Sequence, residues 1–126
     1  MDPILSGRVL WSFDREVTSR NMGNDIGFHF SGVLPFHCHE GEIFLTEHEI
    51  RLVGDDEMLV PLEELTELYH GFDDIYTPTL SKNFGMFWKP LRLSLYGGAV
   101  LYLIIDYNLL GTKNKSWFDT LTNMFA

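Results

Sequence analysis

Apolar and polar residues alternate with a period of two along most of this chain, and the period lengthens only near the C-terminus. In "LSGRVLWSF" Leu5, Val9, Trp11 and Phe13 share one face while Ser6, Arg8 and Ser12 share the other, as in a strand with one buried side. "DREVTSRNMGND" is polar and reads as a loop. Extended patterns resume in "GFHFSGVLPFHC", "GEIFLTE", "EIRLVG" and "EMLVPL", and Gly54-Asp55-Asp56 marks a turn before the last of these. "PLEELTELYHGF" opens at a proline with room for one helical turn before it extends. In "KPLRLSLYGGAVLYLIIDY", Leu91, Leu93 and Leu95 alternate, and Gly97-Gly98 supplies the positive φ angles of a two-residue hairpin turn. Val100 to Ile105 then return as a buried strand.

The final segment switches to helical spacing. Trp117, Leu121 and Met124 form an apolar stripe with Phe118 and Phe125 beside it, and Ser116 with Asp119 has the form of a capping box. The pattern predicts strands at about residues 5–13, 28–38, 42–47, 49–54, 57–62, 66–71, 90–96 and 99–106, and a helix over 116–125. Phe30, Ile43, Leu45, Ile50, Leu52, Leu62, Leu65, Leu93, Leu103 and Leu121 are the expected core. A helix of this kind must lay its stripe on a sheet or plug the open end of a barrel.

At 126 residues the chain suits a single domain able to bury a core without staples. The apolar fraction of 45% and aromatic fraction of 14% place it among globular, β-rich chains. No apolar run reaches the length of a membrane span. "MDPILSGRVL" lacks the basic start and apolar stretch of an export signal, so the expected location is cytoplasmic. Cys38 is the single cysteine and cannot form an internal disulfide.

Charge is uneven along the chain. Residues 40–76 hold twelve acids against Arg51, residues 77–126 hold two acids and five bases, and the whole chain carries −9. Nothing here forms the basic footprint of a nucleic-acid binder, and an anionic membrane would repel the net charge. The acidic block reads as a solvated face, or as a docking surface for a basic partner such as the basic end of another copy.

"GEIFLTEHEIRLVGDDEMLVPLEELTELYHG" resembles the core of a GRAM domain, a member of the pleckstrin-homology (PH)-like superfamily. Gly41, Thr46, Pro61, Leu62 and Leu65 stand at the positions of that family's pattern, and the "LRLSLYGGAVLYLII" hairpin and the closing helix continue it. The resemblance covers about residues 28–126, with "HFSGVLPFHC" as the family's first strand. It implies a mainly β fold. This is a PH-like, GRAM-type β-barrel or sandwich of seven strands plus an extra N-terminal strand, closed by a C-terminal helix. The whole of 1–126 is then one domain, 28–126 the family-like core and 1–27 an added strand and loop. The insertion "DDIYTPTLSKNFGMFW" departs from the family pattern.

"PFHCHEGE" is the densest candidate for chemistry. His37 and His39 fall on one face of an extended strand and Cys38 on the other. A metal would need a third ligand such as Glu42 or His29. The His-x-His spacing also approaches the cupin pattern, but the distances from Gly32 to His37 and from His39 to Glu42 are too short, and the later glycine-flanked histidine is missing. The simpler reading makes Glu40-Gly41 a tight turn, with His39 and Glu42 paired across it. Asp73-Asp74 read as a turn rather than as catalytic carboxylates, since adjacent residues on an extended chain point apart. Cys38 and His70 form no local nucleophile pair. Trp11 and Trp117 are expected in the core. Phe84, Met86, Phe87 and Trp88 are the expected contact patch.

These residues point to a non-enzymatic PH/GRAM-like module, without cofactor, that binds protein or assembles with itself through strand edges and the aromatic insertion. The alternative is a small metalloprotein or metalloenzyme built on His37, His39 and Glu42. A lesser alternative is lipid headgroup binding in an anion pocket of Arg8, Arg15 and Arg20.

Overall fold

The computed structural model describes residues 3–18, 37–77, 88–108 and 111–125. It holds strands β1 (Leu5–Phe13), β2 (His39–Leu45), β3 (Glu49–Gly54), β4 (Glu57–Pro61), β5 (Leu65–His70), β6 (Leu91–Leu95) and β7 (Val100–Ile105). Two helices, α1 (Asp14–Thr18) and α2 (Asn114–Met124), and a 3-10 turn over Leu62–Glu64 complete the described elements. All strand pairs are antiparallel, in the order β4-β3-β2-β1-β7-β6-β5.

Chain connectivity forces this sheet to curl. A flat sheet of seven strands would set its edges about 29 Å apart, from six gaps of about 4.8 Å. Yet the edge strands β4 and β5 are joined only by the turn Leu62–Glu64, a link that reaches about 14 Å when fully extended. The result is a curled half-barrel with α2 packed on β5, β6 and β7. The corner is tied down by Leu62 N–H to the His48 carbonyl (2.9 Å) and Tyr96 N–H to the Glu64 carbonyl (2.7 Å).

Two cores lie on opposite faces of the sheet. The concave face buries Val9, Trp11, Ile43, Leu45, Ile50, Leu52, Leu91, Leu93, Leu101, Leu103 and Ile105 against Trp117 and Leu121 of α2. The convex face carries a smaller core of Val17, Tyr76, Trp88, Tyr102 and Ile104, with Leu10, Phe72, Ile75 and Tyr107 packed on it. This explains why Val100–Ile105 is apolar at nearly every position: β7 is covered on both sides.

Several expectations change here. The strand over residues 5–13 is not an addition at the margin. As β1 it is a central strand of the seven, hydrogen-bonded to β2 on one side and β7 on the other. Of the strand expected over 28–38, residues 28–36 lie outside the described residues, as does the expected core residue Phe30. Cys38 follows β1, donating its N–H to the Trp11 carbonyl (3.2 Å) and to Ser12 Oγ (2.9 Å).

Glu40-Gly41 is not a turn either. Both residues lie inside β2, with Gly41 opposite Gly54 of β3. A Cβ on Gly41 would stand 2.1 Å from the Val53 carbonyl oxygen, so this glycine permits close backbone approach instead of chain reversal. The β6–β7 loop is four residues, Tyr96 to Ala99, with Leu95 N–H bonded to the Ala99 carbonyl (2.8 Å). Gly97 and Gly98 have φ of +100° and +99°, the conformation for which glycine was expected.

Helix α2 begins two residues before Ser116, which is exposed and does not cap it. Its start is set by Asn114, which is fully buried. Asn114 Oδ1 accepts the Ile105 N–H (2.8 Å), and Nδ2 donates to the carbonyls of Lys89 (2.7 Å) and Leu103 (3.1 Å). One amide therefore ties the helix to β7 and to the segment entering β6. Replacing Asn114 with Ala strands three backbone groups in the interior and is expected to cost about 2–4 kcal/mol. Urea denaturation measures this. A loss below about 1 kcal/mol would show that the amide is not the anchor.

Candidate functional site

His39 occupies the end of the concave face, where β2 begins. Its ring stacks on Trp11, its partner on β1, at 5.3 Å between centroids. Nε2 lies 2.8 Å from a Glu16 carboxylate oxygen and Nδ1 lies 3.1 Å from Asp55. Glu16 is held by its other oxygen, which accepts the Phe13 N–H at 2.8 Å and so fastens the first turn of α1. Asp55 is held by the Glu40 N–H at 3.0 Å. With an acceptor at each ring nitrogen, the geometry fits a doubly protonated imidazolium. Burial disfavours that charge, but the hydrogen bonds and charges of Asp55 and Glu16 outweigh it, and the pKa of His39 rises above 6.5. The Glu40 N–H, and after it His39, hold Asp55 below the usual carboxylate range.

The structure does not assemble His37, His39 and Glu42 into one ligand set. His37 precedes β2 and faces Glu40 at 3.7 Å. Glu42 is on the same strand as His39 but on its convex face, opposite Arg8 and Val53. The other named ligand, His29, lies outside the described residues. Among the described residues no group of three or more His, Cys, Asp and Glu side chains is arranged to hold a metal ion.

The other chemical candidates have structural roles. Burial lifts the Cys38 thiol pKa; a Ser12 hydrogen bond opposes the rise and the Glu16 charge adds to it. An activated thiolate needs the opposite shift. His70 stacks on Phe118 of α2 at 5.8 Å. Asp73 is a turn residue: one oxygen accepts the N–H groups of Ile75 and Tyr76, and the other accepts Arg92 (3.0 Å) and the Tyr102 hydroxyl (2.8 Å). Arg92 also bonds Glu67 and lies over the Tyr69 ring at 4.5 Å. It thereby staples the convex face of β5 to β6 and β7.

The arginines sit in separate surroundings. Arg8 lines a cleft of about 330 Å³ on the convex face together with Glu40 and Asp106, whose carboxylates oppose an anionic ligand. Arg15 lies over the Phe13 ring at 5.0 Å, and Arg20 falls outside the described residues. The expected aromatic patch also changes. Trp88 is only 7% exposed and packs on Phe72 and Tyr107, so it belongs to the convex core and offers no open surface. Phe84, Met86 and Phe87 lie outside the described residues.

One apolar opening was not singled out by the alternation pattern. A groove of about 540 Å³ runs between β5 and α2, lined by Leu65, Thr66, Glu67, Leu68, Phe118, Thr122 and Phe125. Phe125 is 51% exposed. Strand β5 ends the sheet, so among the described residues its outer edge has no partner strand. The sequence signal was present in Phe118 and Phe125, which stand beside the buried helical stripe and not in it.

No protein family matches the chain, and no curated protein does. Among solved structures it is similar to the C-terminal domain of an unknown protein from Leishmania infantum. The TM-score is 0.55 at 11% identity, over 98% of this chain and 83% of that one. That likeness is one of fold. Among the described residues no helix is long and apolar enough to cross a membrane.

The His39 clamp has a testable pH signature. Because its folded pKa is raised, the stabilisation is complete below 6.5 and is lost as pH rises through the folded value. On the acid side it fades as the lowered pKa of Asp55 is crossed. His70 works in the opposite sense: burial, with Lys89 and Lys115 nearby, lowers its pKa, so its contribution is lost as pH falls. The difference in denaturation free energy between the wild type and His39→Gln isolates the clamp. That difference is expected to be largest in mildly acidic buffer and to shrink as pH rises past neutrality. A difference independent of pH would show that His39 is not held as an imidazolium.

Proposed function

We propose that this chain is a non-enzymatic module of PH-like type, resembling GRAM domains, that binds protein or assembles with itself through the β5 edge and the groove beside α2. One observation carries the reading: an edge strand without a partner among the described residues lies beside an apolar groove rimmed by the half-exposed Phe125. An unpaired edge offers a row of backbone donors and acceptors to an incoming strand. The groove supplies a place for that strand's alternate side chains, so backbone pairing gives affinity and the groove gives selectivity. Support for the PH-like type comes from the curled antiparallel sheet and the C-terminal helix packed on its concave side.

A peptide-display selection against the full chain tests this. Selected peptides are expected to perturb backbone NMR signals of β5 and α2. Phe125→Asp is expected to weaken their binding by about ten-fold or more, the effect of removing an apolar interface anchor. Peptides that bind elsewhere, or that ignore this substitution, would overturn the reading.

A further inference from the structure

The groove beside β5 is electrically polarised along its length. At the Leu65 end stand Glu63 and Glu64, both exposed on the 3-10 turn. Helix α2 ends near there, since Thr122 and Phe125 line the groove with Leu65 and Thr66. At the His70 end stand Lys89, next to Pro90 whose carbonyl accepts the Gly71 N–H (3.0 Å), and Lys115, in the first turn of α2. Helix α2 begins at that end, where Asn114 holds the Lys89 carbonyl. Asp119, paired with Lys115 at 3.0 Å, Asp73, paired with Arg92 at 3.0 Å, and Asp74 moderate the positive charge, so this end is less negative than the Leu65 end rather than strongly basic. The helix dipole has the same sense, positive at the His70 end and negative at the Leu65 end.

We propose that the strand received by β5 is β5 of a second copy, running antiparallel about a twofold axis; this rests on the protein-binding reading above. Antiparallel pairing brings Glu63 and Glu64 of each copy to the His70 end of the other, where Lys89 and Lys115 stand with Asp73, itself paired with Arg92 at 3.0 Å, and Asp74. Parallel pairing would set like charge on like. Residues opposed across a sheet must share a face. Centring the axis on Leu68 satisfies this, with Leu68 against Leu68 on the groove side and Glu67 against Tyr69 on the convex side. A twofold interface uses one patch twice, so the patch must be complementary to itself, and this one is.

The other open edge, β4, is not. Asp55, Asp56 and Glu57 stand at its start, and Glu63 and Glu64 follow its end. Antiparallel self-pairing there would bring acid to acid. Strand β1 is also unavailable, since both of its edges are already paired within the sheet. Self-association is thus directed to β5.

Light scattering of the full chain at low salt, across a range of protein concentration, tests the proposal with two charge-reversed variants, Glu63→Lys/Glu64→Lys and Lys89→Glu/Lys115→Glu. The wild type is expected to dimerise, and to do so less well at high salt. Each variant alone is expected to dissociate at least ten-fold more readily. Their equimolar mixture is expected to form a heterodimer as tight as the wild type, because both end-to-end contacts then join unlike charges. Phe125→Asp, which replaces a side chain outside the buried core, is expected to weaken the dimer of an otherwise intact fold. A wild type that stays monomeric at every concentration, variants that dimerise as the wild type does, or a mixture no tighter than its components would each overturn the proposal. A monomer whose β5 edge still binds display-selected peptides would exclude the second copy as occupant and leave the protein-binding reading standing. A monomer that binds no such peptide there would remove both.

Discussion

Strand β7 must be covered on both faces, and most of the fold follows from that constraint. Its run Val100–Ile105 is apolar throughout apart from the Tyr102 hydroxyl, and residues 101–105 are all buried. A sheet face left open would expose much of that run to water, at about 25 cal/mol for each Å² of apolar surface. Helix α2 covers the concave side through Trp117 and Leu121, and α1, the segment around Tyr76 and Trp88 cover the convex side. Asn114 and the Tyr102 hydroxyl, polar groups in this layer, are both hydrogen-bonded. Asn114 serves the backbone of Ile105 and Leu103, and the Tyr102 hydroxyl donates to Asp73. Helix α2 is thus fixed over β7, and its half-buried Phe118 and exposed Phe125 form one wall of the groove along β5.

The strands and the closing helix were legible because one face of each strand meets a core, which imprints period two on the sequence. Ile43 and Leu45, Ile50 and Leu52, Leu91 and Leu93 all alternate for that reason. Strand order was not legible, because alternation records which face is buried and not which strand lies alongside. β1 could therefore be taken for an addition although it sits between β2 and β7. Gly41 misled for a related reason: glycine marks a turn and a close cross-strand approach equally well, and only its partner Gly54 distinguishes the two. Trp88 suggested open surface because nothing in a sequence announces a second core on the convex face.

The partners of His39 were hidden from local reading. Glu16 precedes it by 23 residues and Asp55 follows it by 16, so no spacing rule joins them. The acidic block was visible as a charge run, and the fold gives it a use beyond solubility. It places Asp55, Asp56 and Glu57 at one end of β4 and Glu63 and Glu64 at the corner shared with β5. Carboxylates at both ends of β4 protect that edge from pairing with itself. Of the two edge strands described, β5 is the one that joins an acidic end, an end carrying Lys89 and Lys115, and an apolar groove, which assigns interaction to that edge.

Amide hydrogen exchange of the full chain, followed strand by strand against protein concentration, tests that assignment most directly. Exchange in β1 and β7 is expected to be slow at every concentration, because both are hydrogen-bonded on two sides. In β5 the edge-facing amides should exchange quickly when dilute and become protected when concentrated. Exchange in β5 that does not respond to concentration, with new protection appearing in β4 instead, would contradict it.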